Sequence, residues 1–124
     1  YSHEPKVVSD GDANMFNRVR GELLQIQAEF SDINAKQFGL KLRGKELLYD
    51  AESGTLDCEG TDVKVKPIDG KLKLHILIDR TSIEVFANRG RESIFRSFPL
   101  DTENKSLILF VRDGSIKVQK ADVW

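Results

Sequence analysis

The sequence predicts an all-β protein of about ten short strands, arranged as a β-sandwich or a barrel. Short runs in which apolar and polar residues alternate recur along the whole chain. Their spacing is about 8–12 residues, which is typical of a sandwich or barrel and not of a βαβ fold. Gly, Asp, Asn and Ser separate the runs. The alternation itself indicates antiparallel sheets with one face in the core and one face in water.

The first part of the chain is predicted to be extended or irregular, with Met15 and Phe16 packed against the body of the domain. From residue 22 to residue 30 the alternation predicts the first strand of the body. A helix over residues 14–27 is the alternative, because apolar residues also recur there at helical spacing.

The stretch LKLHILIDRTSIEVFAN, residues 72–88, predicts the central hairpin of the sheet. Apolar side chains alternate on both sides of Asp79-Arg80-Thr81-Ser82, which favours a turn. We expect Asp79 and Ser82 to cap this turn through side chain–backbone hydrogen bonds. Glu84 lies on the polar face and is expected to pair across the sheet with a Lys or Arg, which would contribute about 0.2–1 kcal/mol. Asn88 is expected to be a turn residue.

The other strands are shorter and are closed by turn residues. They are predicted at residues 38–42, 47–51, 55–59, 63–65, 94–98, 107–111 and 116–118. Glu52-Ser53-Gly54 has the composition of a hairpin connection. Asp113-Gly114 is predicted to be a second hairpin turn, between the last two of these strands.

Length and composition predict one globular domain. The chain has 124 residues, of which 40% are hydrophobic and 31% charged. Its 19 basic and 20 acidic residues give a net charge of −1, so we expect neither nucleic acid nor a membrane surface as a partner. The segment YSHEPKVVSDGDA is not a signal peptide. It also lacks an initiator Met, which predicts a piece of a longer protein.

Few residue types suited to metal binding or nucleophilic catalysis are present. Cys58 is the single cysteine and is expected to be a small buried apolar residue. His3 and His75 are too few for a histidine-rich metal site, and His75 is expected on the polar face of its strand. No phosphate-binding glycine loop and no G-x-S-x-G motif occurs. We therefore expect no metal and no cofactor.

The residue order from Leu74 to Gly90, LHILIDRTSIEVFANRG, closely resembles the signature of the C-terminal β-sandwich domain of glycoside hydrolase family 32. That family contains invertases, levanases and inulinases. Two more segments resemble the same domain in the same order, namely Glu29-Phe30 with FGLKLR at 38–43, and YDAESGTL at 49–56. The resemblance covers residues 21–124 and implies a two-sheet antiparallel β-sandwich that is jelly-roll-like (concanavalin-like), preceded by a linker segment over residues 1–20.

The resemblance also implies that the chain is not catalytic. In the family, the catalytic acids lie in a separate N-terminal five-bladed propeller, in motifs of the W-x-N-D-P-N, R-D-P and E-C type. None of these occurs here: Arg112-Asp113 is followed by Gly114, and Cys58-Glu59 is the reverse of E-C. The implied partner is the propeller of the same parent chain. Because fructans are met outside the cytoplasm, the parent is expected to be secreted or periplasmic.

Three residues of the central hairpin, Asp79, Arg80 and Glu84, are candidates for binding a sugar or a neighbouring domain. Carboxylates and Arg form paired hydrogen bonds with vicinal hydroxyls. Sugar sites also use an aromatic platform, for which Tyr49, Phe86 and Trp124 are available, although Phe86 is expected in the core.

Three functions are compatible with these residues. The first is an architectural module that stabilises the propeller of a fructan- or sucrose-cleaving enzyme or joins its copies into an oligomer. The second is a carbohydrate-binding module for levan or inulin. The third is a free-standing β-sandwich interaction protein.

Overall fold

The computed structural model describes residues 2–3, 5–97, 99–101 and 103–124, the first two by their backbone alone. Within this part of the chain there are ten strands and no helix, and hence no helix that could cross a membrane. The strands are β1 (Ser2–His3), β2 (Lys6–Ser9), β3 (Leu24–Leu42), β4 (Lys45–Asp50), β5 (Thr55–Cys58), β6 (Thr61–Lys64), β7 (Leu72–Ile78), β8 (Ser82–Ala87), β9 (Glu92–Ser97) and β10 (Leu107–Val123). The predicted all-β class is confirmed; Phe98, at the end of one predicted strand, lies outside the described residues.

Two long strands are shared by both sheets of the sandwich. β3 has 19 residues and β10 has 17, and they pair antiparallel from Leu42 opposite Leu107 to Ile26 opposite Val123. One half of β3 pairs with β7 and the other half with β4. The first sheet therefore has the order β6-β5-β4-β3-β10. The second has the order β9-β8-β7-β3-β10, with β1 and β2 on the outer edge of β10.

β3 and β10 bend together where they pass from one sheet to the other. Asp32, Asp113 and Gly114 have φ angles of 47°, 57° and 140° there, and the register shifts beside Ser115. A Cβ on Gly114 would overlap the carbonyl oxygen of Asn34, so the position requires glycine. The predicted hairpin turn at Asp113-Gly114 is therefore wrong. β10 continues through it as a bent strand, because a bulge uses the same positive φ angles as a turn.

The N-terminal region also differs in part from its prediction. The predicted strands at 22–30 and 38–42 are one continuous strand, β3. The alternative helix over residues 14–27 is wrong, because turns occupy residues 15–18 and the strand follows. Phe16 is 2% exposed and Met15 packs against the core, as predicted. The proposed boundary between residues 20 and 21 stays a prediction.

Side-chain hydrogen bonds protect two edges of the sandwich. Asn14 Oδ1 accepts from the Leu109 amide, and Asn14 Nδ2 donates to the Leu107 carbonyl, both at 2.9 Å. This closes the outer edge of β10 in the first sheet. On the opposite side Arg96 Nη1 donates to Thr61 Oγ1 at 2.7 Å, which joins the edge strand of the second sheet to that of the first. Covered edges of this kind limit unwanted strand pairing.

The core confirms the alternation predicted for the central hairpin. Its inward side chains are buried: Leu72, Leu74, Ile76, Ile78, Ile83, Val85 and Ala87. Cys58 is fully buried, and burial raises the pKa of its thiol to about 11. The prediction that Cys58 is an inert core residue is thus confirmed, since nucleophilic attack requires the thiolate.

Candidate functional site

The central hairpin presents one row of side chains on the outer face of the second sheet. In the strand register Phe95, Glu84, Leu77 and Gln25 are successive cross-strand neighbours. Two backbone hydrogen bonds pair Gln25 with Trp124 and extend the row to five residues. Phe95 is 60% exposed, Leu77 36% and Trp124 62%. Three large apolar side chains are therefore exposed on one face, separated by the polar side chains of Glu84 and Gln25.

A groove of about 410 Å³ lies at one end of this row. We call it the Trp124 groove, and its side chains include Leu23, Gln25, Leu77, Asp79, Glu84 and Trp124. It brings two of the three predicted site residues together, Asp79 and Glu84. The third, Arg80, does not line the groove.

Asp79 caps the turn of the central hairpin through its side chain, as predicted. Its Oδ1 accepts hydrogen bonds from the amides of Thr81 (2.8 Å) and Ser82 (2.7 Å) and from the Ser82 hydroxyl (2.9 Å). These bonds, the one from the Thr81 amide foremost, lower the pKa of the Asp79 carboxyl group. Asp79 is therefore an ionised turn cap at neutral pH.

Arg80 is paired away from the groove. Its Nε lies 3.1 Å from Glu22 Oε2, and the same carboxylate lies 3.7 Å from Lys105 Nζ. The hydrogen bond from Arg80 and then the charge of Lys105 lower the pKa of Glu22. Arg80 thus fastens the hairpin turn to the start of β3.

The cross-strand ion pair predicted for Glu84 is wrong. Its neighbours on β7 and β9 are Leu77 and Phe95, which are apolar. Among the described residues no basic group lies within ion-pair distance of its carboxylate. Glu84 is consequently a half-buried carboxylate in the groove that is available to accept hydrogen bonds.

The three candidate aromatic platforms have different positions. Tyr49 is 2% exposed and donates its hydroxyl to the Val65 carbonyl at 2.8 Å, so it belongs to the core. Phe86 was expected in the core, and this is wrong: it is half-buried on the outer face, with its ring centroid 6.1 Å from that of His75. The alternation of β8 decides this, since Val85 and Ala87 face inward. Trp124 is exposed and lines the groove.

A second depression, of about 380 Å³, lies beside the groove on the same face. We call it the His75 pocket; its side chains include Gln27, Glu29, Lys73, His75, Phe86, Arg89 and Lys120. His75 Nε2 lies 2.9 Å from Gln25 Nε2, which confirms the predicted hydrogen-bonded position on the polar face. Sequence reasoning missed this pocket, because only the strand register brings residues of β3, β7, β8 and β10 together.

Sequence reasoning also missed a buried arginine. Arg43 is 2% exposed. Its guanidinium group donates to the carbonyls of Asn104 (2.9 Å), Asp101 (2.7 Å) and Glu22 (3.3 Å). The only sequence signal was its place at the end of the FGLKLR segment. It holds the loop before β10 against the turn that follows β3.

Side chains that could bind a metal ion are scattered over the described residues. No group of three or more metal-ligating side chains occurs among them. The three carboxyl groups with a resolved pKa change, those of Glu22, Asp50 and Asp79, all have lowered values. A general acid needs a raised pKa, so none of these three is suited to donate a proton near neutral pH.

Comparisons with known proteins agree with this architecture. The family described as "Glycosyl hydrolases family 32 C terminal" matches residues 2–124. A levanase of Bacillus subtilis (strain 168) is 30% identical over 94% of this chain, which corresponds to 20% of the levanase. Two solved structures share the fold: an exo-inulinase from Aspergillus awamori (TM-score 0.83, 22% identity) and a β-fructofuranosidase from Aspergillus kawachii (0.81, 15%). Each match covers 99% of this chain, and 28% and 27% of those proteins. The chain thus spans between a fifth and three tenths of the length of these relatives, and it belongs to the C-terminal β-sandwich family of glycoside hydrolase family 32.

Proposed function

We propose that this chain is the non-catalytic β-sandwich module of a fructan- or sucrose-cleaving glycoside hydrolase. In this proposal it packs against a catalytic propeller of the same parent protein and stabilises it. The observation that carries the proposal is the exposure of Phe95, Leu77 and Trp124 on one face of the second sheet, together with Leu23, which is 58% exposed. The relatives have three to five times the length of this chain, which leaves ample protein to cover such a face.

One substitution tests the docking face. In the whole protein we expect Leu77→Glu to lower the melting temperature of the catalytic domain by about 5 °C or more, because it places a charge in an apolar interface. In the isolated chain the same change should cost much less, about 0.2–1 kcal/mol of repulsion from the cross-strand neighbour Glu84, because the new carboxylate stays in contact with water there. Val7→Glu is the control, because Val7 is 59% exposed and lies on β2, away from the row.

Two results would refute this proposal. The first is an equal effect of Leu77→Glu in the whole protein and in the isolated chain, since the face would then have no partner. The second is release of fructose from sucrose, inulin or levan by the isolated chain, since the module would then be catalytic. The proposal also places the whole protein outside the cytoplasm, where fructan polymers occur.

A second candidate function is fructan binding by the Trp124 groove. The observation that favours it is the position of the Glu84 carboxylate, which has no basic partner in the described part of the chain and shares a groove with the Gln25 amide and the indole of Trp124. Stacking on an aromatic ring together with hydrogen bonds from polar side chains is a common way to hold a sugar. This function needs the face to be open, whereas docking covers it.

Calorimetric titration of the isolated chain with levan oligosaccharides, inulin oligosaccharides and sucrose decides between the two. Fructan binding predicts millimolar affinity or better. Glu84→Gln and Trp124→Ala should each weaken it about tenfold, whereas Asp62→Asn on the exposed strand β6 should leave it unchanged. Absence of heat with all three sugars would leave only the architectural role.

A further inference from the structure

Cationic side chains outnumber anionic ones in the His75 pocket. Lys73, Glu29 and Lys120 are direct cross-strand neighbours on β7, β3 and β10, and Arg89 adjoins them from the turn after β8. Glu29 lies 3.6 Å from Lys73, and Asp122, outside the pocket lining, lies 3.5 Å from Lys120. Three basic residues thus line the pocket against one acidic residue. Among the described residues, no carboxylate is within ion-pair distance of Arg89.

The backbone that carries Arg89 is strained and firmly held. Asn88 and Arg89 have φ angles of 52° and 60°, which side chains other than glycine seldom adopt. Asn88 is 8% exposed, and its amide donates to the Lys73 carbonyl at 2.8 Å. Its side chain accepts from the Lys73 amide (3.3 Å) and donates to the Lys66 carbonyl (2.9 Å). These contacts hold the turn and thereby set the position of Arg89, the only basic residue of the pocket that has no carboxylate within ion-pair distance among the described residues.

The other wall of the pocket suits the body of a small sugar. Phe86 and His75 lie side by side on β8 and β7, and their tilted rings supply an apolar surface. Gln27 is the cross-strand neighbour of His75 and adds an amide that can both donate and accept. The Glu29 carboxylate can accept a hydrogen bond from a hydroxyl group.

From this arrangement we propose that the His75 pocket binds a phosphorylated small sugar. Arg89 and the neighbouring Lys73 and Lys120 hold the phosphate, because a guanidinium group binds phosphate through two parallel hydrogen bonds. Phe86 and His75 contact the sugar ring. This site goes beyond both functions proposed above. The first concerns docking to a catalytic propeller, and the second concerns neutral fructans and the side chains of the Trp124 groove.

Titration of the 124-residue chain with fructose 6-phosphate, fructose and inorganic phosphate tests the proposal. We expect fructose 6-phosphate to bind more tightly than either of the others, and its affinity to fall with rising salt concentration. Equal affinity for inorganic phosphate would overturn the assignment to a sugar phosphate. Equal affinity for fructose, or no binding of any of the three, would overturn the phosphate site itself.

Variants separate this site from the Trp124 groove. Arg89→Gln should weaken binding of fructose 6-phosphate about tenfold, because it removes a charged hydrogen-bond donor. Arg91→Gln, in the same exposed turn but outside the pocket, is the matched control and should leave the affinity unchanged. Trp124→Ala should leave the affinity for fructose 6-phosphate unchanged as well. The test of the His75 pocket is therefore independent of whether the Trp124 groove binds fructan. Identical affinity in Arg89→Gln and Arg91→Gln, with both folded by circular dichroism, would refute the role of Arg89.

Discussion

At the scale of single residues, Arg43 shows how a buried charge organises a loop. A guanidinium group has five N–H donors and cannot be neutralised in a protein, so its burial requires acceptors on several sides. The carbonyls of Asp101 and Asn104 provide two of them, and that of Glu22 a third. The Glu22 carboxylate is also close enough for Arg43 to contribute to lowering its pKa. One side chain therefore links β3, the loop before β10 and the start of the sandwich.

Replacement of Arg43 by Met should lower the free energy of unfolding by about 3 kcal/mol. The apolar side chain fills a similar volume but leaves three carbonyl groups without their donor. Urea denaturation followed by circular dichroism measures the loss, with Arg18→Met on the exposed turn as the control. A loss below about 1 kcal/mol would mean that water replaces the guanidinium group, and the organising role of Arg43 would be wrong.

The residues of the central hairpin show which contacts a sequence can predict. The cap formed by Asp79 was predictable, because its partners Thr81 and Ser82 are two and three positions away. The surroundings of Glu84 were not, because they depend on the register of both neighbouring strands. The sequence places Glu84 on the outer face but does not tell which residues of β7 and β9 lie opposite. The same limit concealed the His75 pocket.

At the scale of elements, the two long strands were the least predictable part of the fold. The runs of alternating residues in β3 and β10 were recognised, but each strand was divided at its bend. Asp113-Gly114 carries the same local signal in a bulge as in a turn. Distant residues decide between them: the Asp10 carboxylate accepts from the Asp113 amide, and the Asp10 amide donates to the Gly114 carbonyl. These bonds, made by the chain that follows β2, keep β10 continuous.

Gly114 should tolerate alanine much less well than Gly70, a turn glycine with open space where a Cβ would lie. Gly114→Ala forces a Cβ into the backbone of Asn34 and Ala35, whereas a Cβ on Gly70 meets no atom within 4 Å. Gly70, at φ 75°, lies near the left-handed region, which costs an alanine about 1–2 kcal/mol, whereas Gly114, at φ 140°, lies outside it, so backbone strain adds to the overlap at Gly114. We expect Gly114→Ala to lower the free energy of unfolding by about 2 kcal/mol more than Gly70→Ala. Equal losses in urea denaturation would show that β10 can move away from β3 at the bend.

At the scale of the whole molecule, the sharing of β3 and β10 joins the two sheets into one unit. If β3 and β10 leave one sheet, the other sheet loses them as well. The bridge from Arg96 to Thr61 adds a link at the far edge. Small domains with a common core unfold in a single cooperative transition. Here a second reason to expect such a transition is that β3 and β10 each run without a break through both sheets.

Whether the two sheets unfold together can be measured at two positions, one in each sheet. Cys58 is a fully buried thiol of the first sheet, and Val85 is a fully buried residue of the second. Because the Cys58 side chain is fully buried, a labelling reagent reaches its thiol only when the protein opens. We expect the opening free energy from Cys58 labelling to equal that from hydrogen exchange at the Val85 amide, since both require global unfolding.

The amide of Val63 on the edge strand β6 is the control and should exchange at a lower free energy through local fraying. A clearly lower opening free energy at Cys58 than at Val85 would show that the first sheet unfolds by itself and that the shared strands do not couple the two.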